Sequence, residues 1–160
     1  MNSFKTVAVQ AADKAGQFLR EHFGNIRQAD IESKEQFDFV THVDKGAEEI
    51  IIKTIHEHFP EHQIFAEESQ KDVHGEFRWI IDPLDGTTNY IHDVPTFCVS
   101  IGLEKNGEML VGVVYDPIRD EWFVAEKGRG AFLNDKQIHV SEIADPKRAL
   151  LATGYPFRIK

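Results

Sequence analysis

W-I-I-D-P-L-D-G-T-T, residues 79–88, runs an apolar strand pattern into two carboxylates three positions apart, then a glycine and two hydroxyls. A soluble chain does not place that much negative charge at the end of a buried strand without a reason. If Trp79–Ile81 is a core strand, Asp82 and Asp85 stand at the edge of a sheet, where function usually sits. The neighbouring pattern supports a sheet. Q-I-F-A-E-E-S (63–69) and R-W-I-I-D (78–82) read as strands. T-F-C-V-S-I-G-L-E, M-L-V-G-V-V-Y-D and W-F-V-A-E-K follow, separated by K-N-G-E and P-I-R-D, which have hairpin-turn chemistry. G-A-F-L-N-D-K-Q-I-H-V predicts one more hairpin turning at Asn134-Asp135.

Upstream the period changes. Phe4, Val7, Ala8, Ala11, Ala15, Phe18, Leu19 and Phe23 recur at helical spacing, with Gly24 placed to end the helix. Residues 30–36 predict a short strand. Ala47, Ile50, Ile51, Ile55 and Phe59 predict a second helix from about Asp44 to Phe59, with Thr41 and Asp44 as a capping pair and Pro60 as the stop. The fold class is therefore α+β: two N-terminal helices packed on a mostly antiparallel, meandering sheet. Nothing divides the 160 residues into more than one domain. A further strand-like run starts at Ala149 with no neighbour after it; a truncated chain is one explanation and a divergent short protein another.

Composition narrows the function. Net charge is -9, so neither nucleic acid nor an anionic membrane is an expected partner. No apolar run approaches the roughly 18 residues that span a bilayer, and the start has no signal-peptide pattern. The single cysteine, Cys98, excludes an intrachain disulfide and fits a reducing compartment; it reads as a small core residue. A cytoplasmic location is expected.

The acids at strand ends are Asp44, Glu67, Glu68, Asp82 and Asp85. Three converging carboxylates repel unless a proton or a cation intervenes. The donors on offer are carboxylates, the Leu84 carbonyl and the Thr87 hydroxyl, all hard oxygens that select Mg²⁺, Mn²⁺ or Ca²⁺ over zinc or copper. Gly86-Thr87-Thr88 opens a helical turn whose N–H groups could hold a phosphate. A metal seat beside an anion cradle points to phosphoester hydrolysis by water. Taken singly, each feature has a plainer reading. D-P-L-D-G-T serves as a polar turn, Asp44 as a helix-start acid, and Glu67-Glu68 as a solvated strand end. The histidines read as surface or satisfied core groups, and Trp79, Phe97 and Trp122 as packing.

W-I-I-D-P-L-D-G-T-T-N-Y resembles the signature of the inositol monophosphatase family, which belongs to the lithium-sensitive, Mg²⁺-dependent phosphatases. D-F-V-T-H-V-D-K (38–45), I-F-A-E-E-S (64–69), and G-V-V-Y-D-P with G-R-G-A-F-L-N resemble further family blocks in the same order. The resemblance implies the N-terminal half of a layered αβαβα sugar-phosphatase fold. It implies two or three Mg²⁺ ions, with Mn²⁺ or Ca²⁺ able to substitute in binding. Glu67, Asp82 and the Leu84 carbonyl would form a first metal site, and Asp82 with Asp85 part of a second. Asp44, Glu67 and Thr87 would surround a third ion and the nucleophilic water, with the Asp44–Thr87 pair orienting or deprotonating it. Gly86, Thr87 and Thr88 would cradle phosphate, Asp85 would also face the substrate's hydroxyls, and Lys34 would line the pocket. The implied substrate is a small phosphorylated polyol, sugar or nucleotide, and the implied assembly a homodimer.

Family members continue into a second α/β half with a W-D-x-A motif whose aspartate completes the second metal site; this sequence has no W-D-x-A. The expectation is an N-terminal metal- and phosphate-binding domain over residues 1–160, with the C-terminal substrate half absent. Catalysis by such a chain would be weak or lost unless a partner supplied the rest. Two other readings compete. A haloacid-dehalogenase-like phosphatase would use an attacking aspartate, but the Asp-x-x-Asp spacing, Pro83 and the mid-chain position argue against it. A metal- or anion-binding module without turnover is the alternative from another class.

Overall fold

The computed structural model describes residues 3–25, 31–35, 38–67, 69 and 75–152, with backbone alone for 31–35 and 38–41. Helix α1 spans Phe4–His22 and is capped by Ser3, whose Oγ accepts from the Thr6 N–H at 3.1 Å. Its buried stripe is small: Val7, Ala8, Ala11, Ala12, Ala15, Gly16 and Leu19. That lets the helix lie close on the sheet, and Gly16 faces the Tyr115 ring with no room for a Cβ. Gly24, at φ +77°, follows the Phe23 cap, as its position in the pattern predicts.

Strands β1 (Ile31–Glu35) and β2 (Asp38–Thr41) form a separate antiparallel pair. Helix α2, His42–His56, follows at once, two residues before the start predicted at Asp44 and three short of Phe59. The chain past His56 still turns helically, with the Phe59 N–H donating to the Ile55 carbonyl at 2.8 Å. The apolar stripe therefore outlasts the regular helix.

The main sheet has seven strands in sequence order: β3 (Gln63–Ala66), β4 (Phe77–Asp85), β5 (Cys98–Lys105), β6 (Glu108–Asp116), β7 (Glu121–Glu126), β8 (Gly130–Leu133) and β9 (Lys136–Ile138). Only β3–β4 is parallel; the rest is an antiparallel meander. Its turns are where the sequence puts them. Asn106-Gly107 and Asn134-Asp135 each supply two positive φ values, which a two-residue hairpin with the sheet's twist requires. A five-residue helix α3, Thr87–Ile91, follows β4.

One face of the sheet meets α1 and α2 through Trp79, Ile81, Val99, Ile101, Leu103, Val111, Val113 and Tyr115, all buried. The opposite face carries Ile80, Gly102, Gly112, Val114 and Phe123 along an apolar groove, with Met109, Val114 and Phe123 exposed. The architecture is the α+β layering read from the sequence. No helix among the described residues is long and apolar enough to cross a membrane.

Two readings change. β4 does not stop at Asp82 but continues through the motif to Asp85. The run from Ala149 forms no strand over its described residues, 149–152: a short 3-10 turn, Pro146–Arg148, precedes it, and Leu150 and Leu151 stand exposed. Apolar composition alone does not make a strand when no neighbour offers hydrogen bonds.

Candidate active site

The site grows from an irregularity in β4. Asp82 pairs with Ser100 and Asp85 with Cys98, so three steps on β4 face two on β5. The extra residue bends the strand and re-aims its side chains. Burial shows the break: Trp79 and Ile81 alternate inward, then Pro83 and Leu84 are buried consecutively. Leu84 thus stays anchored in the core while Asp82 and Asp85 emerge on either side of it. The Leu84 N–H turns back to Asp82 Oδ1 at 3.1 Å, which fixes that carboxylate.

Gly86 makes the next turn, at φ 105° and ψ 33°. A Cβ there would meet the Thr96 carbonyl oxygen at 3.0 Å and Phe97 Cβ at 3.2 Å, so both conformation and space demand glycine. Helix α3 starts immediately afterwards. Its first N–H groups have no intrahelical acceptors, and Thr87 and Thr88 lie in that first turn. Thr87 Oγ1 approaches two acceptors, Asp44 Oδ1 at 2.9 Å and the Leu84 carbonyl at 3.1 Å. Asp44 is in the first turn of α2 and is 2% exposed. It is both the helix-start acid of the plain reading and a group aimed at the motif. Tyr90 pins α3 from behind, its hydroxyl donating to the Leu19 carbonyl of α1 at 2.7 Å.

Glu67 arrives from β3. Its N–H donates to the Ile81 carbonyl at 3.1 Å, so the parallel pairing of β3 with β4 delivers it beside Asp82. Burial first, then the charges of Glu67 and Asp85, push the Asp82 carboxyl up from 3.8 to about 7; the Leu84 N–H opposes this. An Asp82 carboxyl pushed up to about 7 by burial and by the negative charges of Glu67 and Asp85 marks a place short of positive charge. That is the fit expected of a site for a hard divalent cation, and the donor set of carboxylates and a carbonyl agrees with it. Among the described residues no three His, Cys, Asp or Glu side chains already close into a metal cage.

The structure thus brings Asp44, Glu67, Asp82, Leu84, Asp85, Gly86, Thr87 and Thr88 to one rim. Glu68 lies outside the described residues; the Lys34 backbone lies in β1, and its side chain is likewise outside them. Cys98 departs from its predicted core role. It is half-buried at the rim, with Sγ 3.8 Å from Asp85 Oδ2. Burial and then the charges of Asp85, Asp82 and Asp116 raise its thiol to about 12, so it stays protonated. The T-F-C-V-S pattern gives no hint of this, because Cys98 is placed by the β4 irregularity opposite it.

The α+β layered fold thus places an acidic, hydroxyl-bearing rim at a bulged strand. The inositol monophosphatase family model matches residues 1–158, and the chain belongs to that family. It is 44% identical over 162 residues to "Nus factor SuhB" of Salmonella typhimurium (strain LT2), covering all of this chain and 61% of the relative. It is 43% identical over 159 residues to "Fructose-1,6-bisphosphatase/inositol-1-monophosphatase" of Aquifex aeolicus, covering 99% and 60%. The solved IMPase of Thermotoga maritima superposes with a TM-score of 0.79 at 40% identity, over 85% of this chain and 53% of that one. The chain spans about three fifths of the length of the curated relatives it matches.

Proposed function

We propose that this chain carries the metal- and phosphate-binding part of a phosphomonoesterase acting on a small phosphorylated polyol, sugar or nucleotide. The observation that carries the reading is the meeting, at one bulge of β4, of Asp82 and Asp85 with Glu67 delivered beside them by β3 and with the Thr87–Asp44 hydrogen bond. The bifunctional phosphatase name of the Aquifex relative supports the substrate class.

Glu67, Asp82, the Leu84 carbonyl, Asp85 and Asp44 are the groups that would hold two or three Mg²⁺ ions, with Mn²⁺ or Ca²⁺ as substitutes in binding. Such ions supply neutralisation of the phosphate charge and acidification of water. The chain's own part is positioning. The Thr87 hydroxyl, held between Asp44 and the Leu84 carbonyl, is set to pass a proton from an attacking water to the Asp44 carboxylate. The water oxygen bonds to phosphorus, the ester oxygen leaves with its electron pair, and a proton from solvent completes the alcohol. The first-turn N–H groups at Gly86, Thr87 and Thr88 take the phosphate oxygens. Asp85, exposed at the rim, faces the substrate's hydroxyls, and the same reading assigns Lys34 to the pocket. A cytoplasmic homodimer, inhibited by lithium, belongs to the same reading.

The test is phosphate release from inositol 1-phosphate and fructose 1,6-bisphosphate with and without Mg²⁺, beside Asp82→Asn. Release that survives this substitution undiminished overturns the reading. A second reading has its own observation: the SuhB relatives are named as Nus factors, and the apolar groove opposite the helices leaves Met109, Val114 and Phe123 exposed among the described residues. A binding module without turnover would take up Mg²⁺ in calorimetry yet release no phosphate.

A further inference from the structure

The second cluster of interest lies away from the acidic rim, where the end of α2, the start of β3, and β4 meet. His62 is stacked between two phenyl rings, Phe59 at 4.8 Å and 13° and Phe77 at 4.5 Å and 1°. Phe4 of α1 closes the side at 5.8 Å. Trp79 Nε1 lies 3.1 Å from Nδ1 of the imidazole. Indole nitrogen only donates. Nδ1 must therefore accept, and the neutral ring must carry its proton on Nε2. Trp79 is fully buried, and this is the hydrogen bond that satisfies its N–H.

We propose that His62 is an acid-sensitive latch: its protonation breaks the Trp79 bond and releases the start of β3 from β4. A proton on Nδ1 turns the acceptor into a donor facing a donor. It also leaves a buried indole N–H without its acceptor, which disfavours the closed arrangement. The surrounding charges set the threshold. Glu76, just before β4, favours the imidazolium, and His56 in the last turn of α2 opposes it. Lys105 at the end of β5 lies 4.9 Å from the Phe77 ring centre and is paired with Glu76 at 3.1 Å. His58 touches Phe59 on its far side. α1 presents the Phe4 ring.

The group's affinity for a proton agrees with the geometry: burial, the largest influence, lowers the His62 pKa below 6.5. The folded state then binds fewer protons than the unfolded chain. The stability held by a neutral His62 is present above pH 6.5 and is lost as pH falls toward the folded-state value. The seam tied here is β3, the strand that ends beside Glu67. The latch does not depend on the phosphatase reading, because none of its readouts is activity.

The experiment is nitrogen-detected NMR of the full chain with labelled histidine, together with amide exchange. At pH 7.5, His62 should show an unprotonated Nδ1 and a protonated Nε2. Between pH 6.5 and 5.5 the protection factors of the Ile64, Phe65 and Ala66 amides, corrected for intrinsic exchange, should fall by up to about tenfold. The Trp79 indole proton should become exchange-labile over the same interval. His62→Gln keeps an acceptor without a titrating ring and should flatten that response. Trp79→Phe keeps the ring contact and removes the donor, so the His62 transition should move up in pH. A protonated Nδ1 at pH 7.5, or an unchanged pH response of the β3 amides in His62→Gln, overturns the latch. If His62→Gln does not fold, an unmoved His62 transition in Trp79→Phe overturns it equally.

Discussion

Replacing Asp82 by Asn should make the metal-free chain more stable while removing its capacity for divalent ions. Asp82 accepts from the Leu84 N–H, and the negative charges of Glu67 and Asp85 act on it. Asparagine keeps the acceptor for Leu84 and offers an N–H₂ to Glu67, imitating the protonated acid without the charge. The rise from 3.8 to about 7 sets a ceiling of about 4 kcal/mol on the penalty of the ionised form. Asp82 is only half-buried and coupled to Glu67, so solvent screening leaves ~1–2 kcal/mol. The sign follows from the raised value. The favourable contribution of the protonated acid is complete below pH 3.8 and is lost as pH rises through about 7. In chelator at pH 8 the variant should therefore melt about 2–8 °C above the parent. At pH 5 the advantage should shrink by more than half. Added Mg²⁺ should raise the parent's melting temperature and leave the variant's unmoved. A variant that melts lower than the parent at pH 8, or a parent indifferent to Mg²⁺, would show that the Glu67–Asp82 pair is not a cation seat.

Two further substitutions probe the rim. Thr87→Val removes the donor to Asp44 and Leu84; urea melts should show a loss of about 1–2 kcal/mol, since hydrogen bonds to charged groups contribute more than neutral ones. Its phosphate release should fall with that of Asp82→Asn. Gly86→Ala forces a side chain into φ 105° and against the Thr96 carbonyl, with an expected loss of about 1–3 kcal/mol. Hydrogen exchange should locate that loss in α3 and the β4 bulge, and a melt unchanged from the parent would mean the turn tolerates a Cβ.

The meander was readable because each hairpin is local: Asn106-Gly107 and Asn134-Asp135 specify their turns regardless of what packs around them. The candidate rim was readable for another reason. Asp82, Asp85 and Gly86 are adjacent in sequence, and Asp44 and Glu67 stand out as acids at the ends of apolar runs. What the sequence withheld depends on partners. The strand continues to Asp85 because β5 pairs with it around a bulge, and no residue type announces that. Cys98 looks like core by composition, yet its register opposite Asp85 puts it at the rim. The run from Ala149 shows the converse, a strand-like pattern without a neighbouring edge. The satisfied-core reading of the histidines holds for His62, but its acceptor role needed the Trp79 indole to be located.

The parallel pairing of β3 with β4 has a kinetic consequence. Strands β5 to β9 join through short turns, so the meander can zip from contacts a few residues apart. Glu67 and Asp44 reach the rim only through non-local closures, Asp44 meeting Thr87 across 43 positions. Chain entropy must be lost before such contacts repay it. The sheet is therefore expected to condense first, with its acids still far apart, and mutual repulsion grows only as the last two carboxylates arrive. A divalent cation present at that moment would lower the final barrier, so the ion that serves the finished rim would also hasten its assembly.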